Sequence, residues 1–278
     1  VNTLKKAGIT DLTPGQLTGN TALETIESVL SKLPLTAGSA RKKTESQLKK
    51  FTEAALKFAG GKGDEITPEV RGAMEDVFTQ RYSDLIDNEI VNIDDPVIYK
   101  IIEISKDQLD KLPTNVKPVI QSYMRDIVRS GGQLTGKAYQ TARSAMTKQA
   151  RSLALSDPYT SGILKELRKS LDDAAERSLP SEKKGAWSEL NRQYRNYKSI
   201  QKAATSVSKD SLEGILSPSA LAREVETANR TKGQKGYGEL YDFSRAGRAV
   251  LADSVPDSGT AQRLFYQNLM TGALGGGA

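Results

Sequence analysis

Basic and aromatic side chains alternate along one predicted helix in the second half of the chain. They recur at helical spacing: Arg192, Tyr194, Arg195, Tyr197, Lys198 and Lys202. Cations at this spacing can follow the phosphates of a nucleic acid, and tyrosine rings can stack on the bases of a single strand. The pattern predicts non-specific, salt-sensitive DNA binding, because no motif that reads base edges is present. The alternative is a solvated helix face with two tyrosines in the core.

A second group of cations lies on the predicted helix 134–155, at the centre of the chain. Its members are Lys137, Arg143, Lys148 and Arg151. Four apolar residues of the same helix recur at helical spacing: Ala138, Ala142, Ala145 and Leu153. They predict a narrow apolar stripe that neighbouring helices can approach closely. We expect this helix to be the spine of a bundle, the alternative being one amphipathic helix among about ten.

The composition removes several kinds of chemistry. The 278 residues include no Cys and no His, which excludes a thiolate, an imidazole base and a metal site built from these ligands. Glu45-Ser46 has the form that opens a lytic transglycosylase signature, but nothing downstream continues it. Asp94-Asp95 could hold a metal, yet the following Pro96 favours helix capping. We therefore predict a protein that is not an enzyme and has no metal and no cofactor.

Helix signals recur along the whole chain, whereas strand signals do not. Five predicted helices begin with Pro, in most cases after a polar residue. The sequence predicts an all-α fold, an irregular bundle of about ten helices with no significant sheet. Residues 89–93 alone alternate between polar and apolar side chains, and we interpret them as an extended connector. The predicted helices cover 21–33, 39–59, 68–86, 95–109, 118–128, 134–155, 158–180, 181–204, a short segment from 218, 237–251 and 259–274.

Charge is unevenly distributed along the chain. Residues 61–112 contain 6 Lys and Arg against 13 Asp and Glu, whereas residues 137–202 contain 14 against 7. This segregation predicts internal pairing or head-to-tail contacts between copies, the alternative being two solvated faces. We predict an N-terminal helical region, 1–131, with the acidic stretch. A basic helical region, 132–278, follows and ends in an apolar, glycine-rich helix. We expect both to be a segment of a longer chain.

Three short motifs follow one another at wide spacing. They are Leu12-Thr13-Pro14-Gly15-Gln16-Leu17-Thr18-Gly19-Asn20, then Leu134-Thr135-Gly136-Lys137-Ala138-Tyr139-Gln140 running into Ala142-Arg143-Ser144, and last Ser258-Gly259-Thr260-Ala261-Gln262-Arg263. By residue chemistry alone, the first and last are turns followed by helix caps. In this order and spacing, the three motifs resemble the internal virion proteins, or DNA-ejection proteins, of tailed bacteriophages, especially short-tailed ones. The resemblance spans most of the chain.

This resemblance implies a helical structural protein of the virion that is released ahead of or with the genome. Such a protein helps to form a conduit for DNA across the bacterial envelope. We expect a homo-oligomer whose partners are other virion proteins of the portal, core or tail, with phage DNA as a transient partner. Contact with the bacterial envelope would involve parts beyond Ala278. The alternative function is that of a helical, non-specific nucleic-acid-binding protein.

Overall fold

Eleven α-helices and one two-stranded sheet form the part of the chain that the computed structural model describes, residues 1–18, 37–114, 116–206, 214–230 and 238–251. The predicted all-α fold is confirmed. The predicted helices 21–33 and 259–274 and most of the glycine-rich segment before residue 238 lie outside these residues. The helices are α1 Asn2–Lys6, α2 Pro14–Thr18, α3 Ala37–Phe58, α4 Pro68–Ile86, α5 Asp95–Glu103, α6 Lys117–Arg129, α7 Gly136–Ser152, α8 Pro158–Ser178, α9 Ser181–Ser206, α10 Pro218–Arg230 and α11 Glu239–Leu251.

Local capping explains where several of these helices begin. At α2, the Thr13 amide donates to Gln16 Oε1 at 2.8 Å and the Gln16 amide donates to Thr13 Oγ1 at 3.3 Å, which is a reciprocal capping box. Thr135 Oγ1 accepts the Ala138 amide at 3.2 Å before α7. Asp157 Oδ1 accepts the Thr160 amide at 3.0 Å before α8. Each cap satisfies an amide that has no partner inside its helix.

Most of the predicted extended connector 89–93 is a paired β-strand. β1 (Ile90–Asn92) pairs antiparallel with β2 (Gln133–Thr135), and Val91 lies opposite Leu134. The central helix therefore begins at Gly136, two residues later than predicted, because its first residues are used for pairing. The predicted helix 95–109 also ends early. α5 stops at Glu103 and continues as a π-helical turn, Ile104–Gln108, and a 3-10 turn, Leu109–Lys111.

The chain forms two compact units. Unit 1 comprises Val1–Glu75 and Arg192–Ala278, and unit 2 comprises Asp76–Asn191. This division differs from the one we predicted, 1–131 and 132–278, since residues 131 and 132 both belong to unit 2. The physical reason is that packing, and not charge, determines the units. β1 and β2 pair across the predicted boundary, and α4 and α9 each contribute residues to both units.

An aromatic stack, one close helix approach and a buried hydroxyl group connect the helices of unit 1. The ring of Phe51 in α3 stacks on that of Phe243 in α11, with centroids 4.7 Å apart. A Cβ atom at Gly247 would lie 2.2 Å from the Phe51 ring, so this glycine lets α11 approach α3. The buried Thr52 hydroxyl donates to the Leu48 carbonyl and accepts the Leu216 amide, each at 2.9 Å. It thereby fixes the segment that leads into α10.

Unit 2 has its core along α8 and the neighbouring helices. Six apolar residues at helical spacing on α8 are buried: Ile163, Leu164, Leu167, Leu171, Ala174 and Ala175. The predicted apolar stripe of α7 is not its most buried face, because Ala142, Ala145 and Leu153 are only half-buried. Ala138 is exposed, and the buried residues are Gly136, Tyr139, Met146 and Ala150. Burying the larger Tyr and Met side chains removes more apolar surface from water than burying alanines would.

Candidate nucleic-acid interface

The eight cations predicted to face DNA belong to different units. Lys137, Arg143, Lys148 and Arg151 lie on α7 in unit 2, whereas Arg192, Arg195, Lys198 and Lys202 lie on the part of α9 that belongs to unit 1. Among the residues that the structure describes, three of the eight have a carboxylate partner and the other five do not. The three cations with a carboxylate partner therefore differ in role from the other five.

Arg143 is part of a half-buried network inside unit 2. Its Nε donates to Asp172 Oδ1 at 2.8 Å, and the Tyr139 hydroxyl donates to the same oxygen at 2.7 Å. The guanidinium lies 5.2 Å from the centroid of the Tyr82 ring. The side chains of Arg143 and Asp172 are 21% and 25% exposed. Arg143 therefore joins α7 to α8 and does not present its charge to a ligand.

Protonation of this network follows from its burial. Burial raises the pKa of the Tyr139 phenol well above its usual value, and the nearby Asp172 carboxylate raises it further. For Arg143, burial opposes the charged form, but the Asp172 carboxylate, Tyr139 and Tyr82 together outweigh it, so the pKa of the guanidinium is raised overall. At neutral pH the phenol is thus neutral and the guanidinium charged, as a structural hydrogen-bond network requires.

The two α9 tyrosines predicted to stack on bases, Tyr194 and Tyr197, are largely covered by the rest of the protein. Tyr197 is fully buried, and its hydroxyl donates to the Arg71 carbonyl at 3.0 Å. Lys198 Nζ lies 3.0 Å from Glu75 Oε1 and 5.0 Å from the centroid of the Tyr197 ring. Tyr194 is half-buried beside the same lysine. The prediction that Tyr197 stacks on a base is therefore wrong, because the core covers its ring.

Arg192 also has a carboxylate partner, since its Nη1 atom lies 3.0 Å from Glu239 Oε2. The remaining five cations are exposed, and no carboxylate of the described ranges lies within ion-pair distance of them. They are Lys137, Lys148, Arg151, Arg195 and Lys202. These five side chains retain their full attraction for phosphate.

Ion pairs link the acidic stretch to the basic stretch. In unit 2, Lys183 Nζ lies 2.6 Å from Glu89 Oε1. Asp94, at the N-cap position of α5, accepts hydrogen bonds of 2.5 and 2.9 Å from the Arg177 guanidinium. The hydrogen bond from Arg177 lowers the pKa of Asp94. Internal pairing, one of the three interpretations of the charge segregation, is thus present within unit 2, and the Lys198–Glu75 pair is its counterpart in unit 1.

The carboxylates considered for enzymatic chemistry lie in ordinary surroundings. Glu45 lies in α3, with one of its oxygens 3.8 Å from Lys49 Nζ. Within the described ranges, no group of three or more acidic residues is arranged to hold a metal ion. The helices of the same ranges include none that is both long and apolar enough to cross a bilayer.

An open pocket of about 430 Å³ in unit 2 was not predicted from the sequence. It lies between the π-helical turn and the start of α8, and Asp107, Tyr159 and Glu166 are among its lining residues. Glu166 also lies 3.6 Å from Lys100 Nζ. A π-helical turn has no sequence signature that would have indicated this pocket.

No protein-family model, no curated protein and no solved structure matches this chain. Any proposal about its function therefore depends on its own motifs, fold and contacts.

Proposed function

We propose that this protein is a structural virion protein that takes part in phage genome ejection and helps to form a conduit for DNA across the bacterial envelope. The observation that carries the proposal is the position of the first two motifs in the fold. Thr13 and Gln16 form the capping box of α2, and Thr135 and Gly136 form the start of α7. The residues that resemble ejection proteins thus set helix directions, as expected in a protein whose function is architectural.

The charge arrangement supports the same function. A conduit must attract DNA without holding it, because tight phosphate contacts would stall its passage. Arg143, Arg192 and Lys198 are paired with carboxylates, so their attraction for phosphate is reduced. A protein selected for tight binding would keep such cations unpaired.

In this proposal the protein has no enzymatic activity. It is assembled in several copies, contacts portal, core or tail proteins in the virion, and is delivered into the host envelope during infection. Cell-wall zymography tests the lack of enzymatic activity, because degradation of cell-wall material by the purified chain would contradict it. The second candidate function, non-specific nucleic-acid binding, is favoured by the five exposed cations that have no carboxylate partner among the described residues.

Mass spectrometry of purified phage particles, combined with deletion of the gene, tests the main proposal. We expect the chain, or a longer parent that contains it, in the particles. We also expect deletion particles to adsorb to cells but to deliver little DNA, as measured by quantitative PCR of intracellular phage genomes. Absence of the chain from particles, or normal DNA delivery without it, would overturn the proposal.

A further inference from the structure

The outer face of α7 combines exposed cations with exposed hydroxyl groups. Lys137, Lys148 and Arg151 are exposed there, and so are Thr141 and Ser144. At 100° per residue, these five residues lie within a sector of about 80°. The sector is opposite the buried side chains of Tyr139, Met146 and Ala150. The result is one solvent-facing strip of cations and hydroxyl groups, the α7 outer face.

No carboxylate interrupts this strip along the chain. Residues 127–156 contain no Asp and no Glu. Two carboxylates in the described part of the chain contact α7: Asp172 binds Arg143 and Tyr139, and Asp87 accepts a hydrogen bond of 3.5 Å from Gln140. Both contacts lie outside the sector of about 80°. The α7 outer face therefore keeps its positive charge, whereas α9 loses the charge of Arg192 and Lys198 to Glu239 and Glu75.

The spacing of the cations determines how many phosphates they can contact. Lys137 and Lys148 are separated by about 16 Å along the helix axis, which is too far for one phosphate to bridge. Phosphates of one strand recur about every 3.4 Å along a duplex axis. The strip from Lys137 to Arg151 is about 21 Å long and therefore spans about six of them. Lys148 and Arg151 are about one helical turn apart and can contact neighbouring phosphates.

We infer that the α7 outer face, formed by Lys137, Lys148 and Arg151, is the surface with which this protein contacts the phosphate backbone of DNA. This assignment rests on the proposed role in DNA delivery and narrows it to one helix face. Three contacts per copy give weak binding that depends strongly on salt. Such binding lets a strand move past the protein, and several copies in an assembly would guide it.

Counterion release gives the expected size of the effect. For three phosphate contacts on duplex DNA, a plot of the logarithm of the association constant against the logarithm of the salt concentration should have a slope of about −2.7. Affinity should therefore fall about 40-fold between about 50 and about 200 mM NaCl. On single strands the slope should be about −2.1.

The test measures fluorescence anisotropy of labelled DNA of about 30 nucleotides, single-stranded and duplex, across this salt series. The first variant carries Lys137→Gln, Lys148→Gln and Arg151→Gln. The control carries Lys42→Gln, Lys165→Gln and Lys184→Gln, which remove the same charge from exposed positions on α3, α8 and α9 that were not predicted to face DNA. Circular dichroism verifies that both variants are folded.

We expect the α7 variant to lose binding and its salt dependence, and the control to keep both. The single change Lys148→Gln should reduce the magnitude of the slope by about 0.9, and Lys148→Arg should leave it unchanged. Equal loss in both triple variants, loss in the control alone, or no binding by the unaltered protein at low salt would overturn the inference. None of these results bears on the presence of the chain in particles, so failure of the inference and failure of the proposed function are distinguishable.

Discussion

Gly136 lies directly against the backbone carbonyl of Ile86. A Cβ atom at position 136 would be 1.6 Å from that oxygen, and the Gly136 amide donates to the Glu89 carbonyl at 2.7 Å. The end of α4 and the start of α7 are therefore in backbone-to-backbone contact. Position 136 requires glycine because a Cβ atom has no space there. A left-handed backbone is not the reason, since Gly136 is not among the glycines with positive φ.

Replacing Gly136 with Ala should destabilise unit 2 substantially. The added methyl cannot fit without moving the backbone of Ile86, and overpacking of this kind costs about 3 kcal/mol. Chemical denaturation followed by circular dichroism measures the change. The matched control is Gly185→Ala in α9 of the same unit, where a Cβ atom has open space. That substitution should stabilise the protein by about 0.5–1 kcal/mol. Equal stability of the two variants would refute the contact.

Asp172 should be the critical residue of the half-buried network in unit 2. Asp172→Leu leaves the Arg143 guanidinium and the Tyr139 hydroxyl without their acceptor. We expect a loss of about 2 kcal/mol, below the value for a fully buried pair because both side chains are partly exposed. Arg168, whose Nε lies 3.6 Å from Asp172 Oδ2, also loses its partner. Adding Arg143→Met removes one of the two unpaired charges and should recover part of this stability. A double variant whose loss equals the sum of the two single losses would show that the two residues are not coupled.

Thr52 should be replaceable by Ser but not by Val. Val has nearly the same shape, yet it leaves the buried Leu216 amide without an acceptor, which costs about 1–3 kcal/mol. Ser keeps the hydroxyl and should lose less. Hydrogen exchange resolved at Leu216 provides a local readout, since its amide should exchange faster in Thr52→Val than in Thr52→Ser. Unchanged exchange in the Val variant would contradict the hydrogen bond.

Ionisation of the Tyr197 phenol should reduce the stability of the protein at high pH. Burial, together with the Glu75 carboxylate, raises the pKa of its phenol from 10.0 to about 12. A group whose pKa is raised on folding stabilises the protein fully below its unfolded pKa and loses that effect as the pH rises through the folded pKa. The Tyr197 contribution should thus be present below about pH 10 and disappear towards about pH 12. Denaturation curves of the wild type and Tyr197→Phe across this range measure it. A difference between the two that stays constant with pH would contradict the assignment.

The parts of the fold that could be predicted from the sequence are those that depend on interactions between residues close together in the chain. Helix starts at Pro68, Pro158 and Pro218 follow from the fixed backbone angle of proline and from polar caps in the preceding residues. The inward face of α8 follows from the spacing of its leucines. The absence of Cys and His excludes thiolate and imidazole chemistry by composition alone, whatever the fold.

The sequence by itself thus determined the all-helical fold, the positions of most helices and the set of candidate cations. Tertiary structure alone decided that β1 pairs with β2, that Gly136 must be glycine, and that Tyr197 is buried. It also decided which cations are paired, since Arg143 and Asp172 are 29 residues apart and Lys198 and Glu75 are 123 apart. Helix caps and periodicity depend on neighbours within about one turn, whereas these contacts depend on which distant segments pack together.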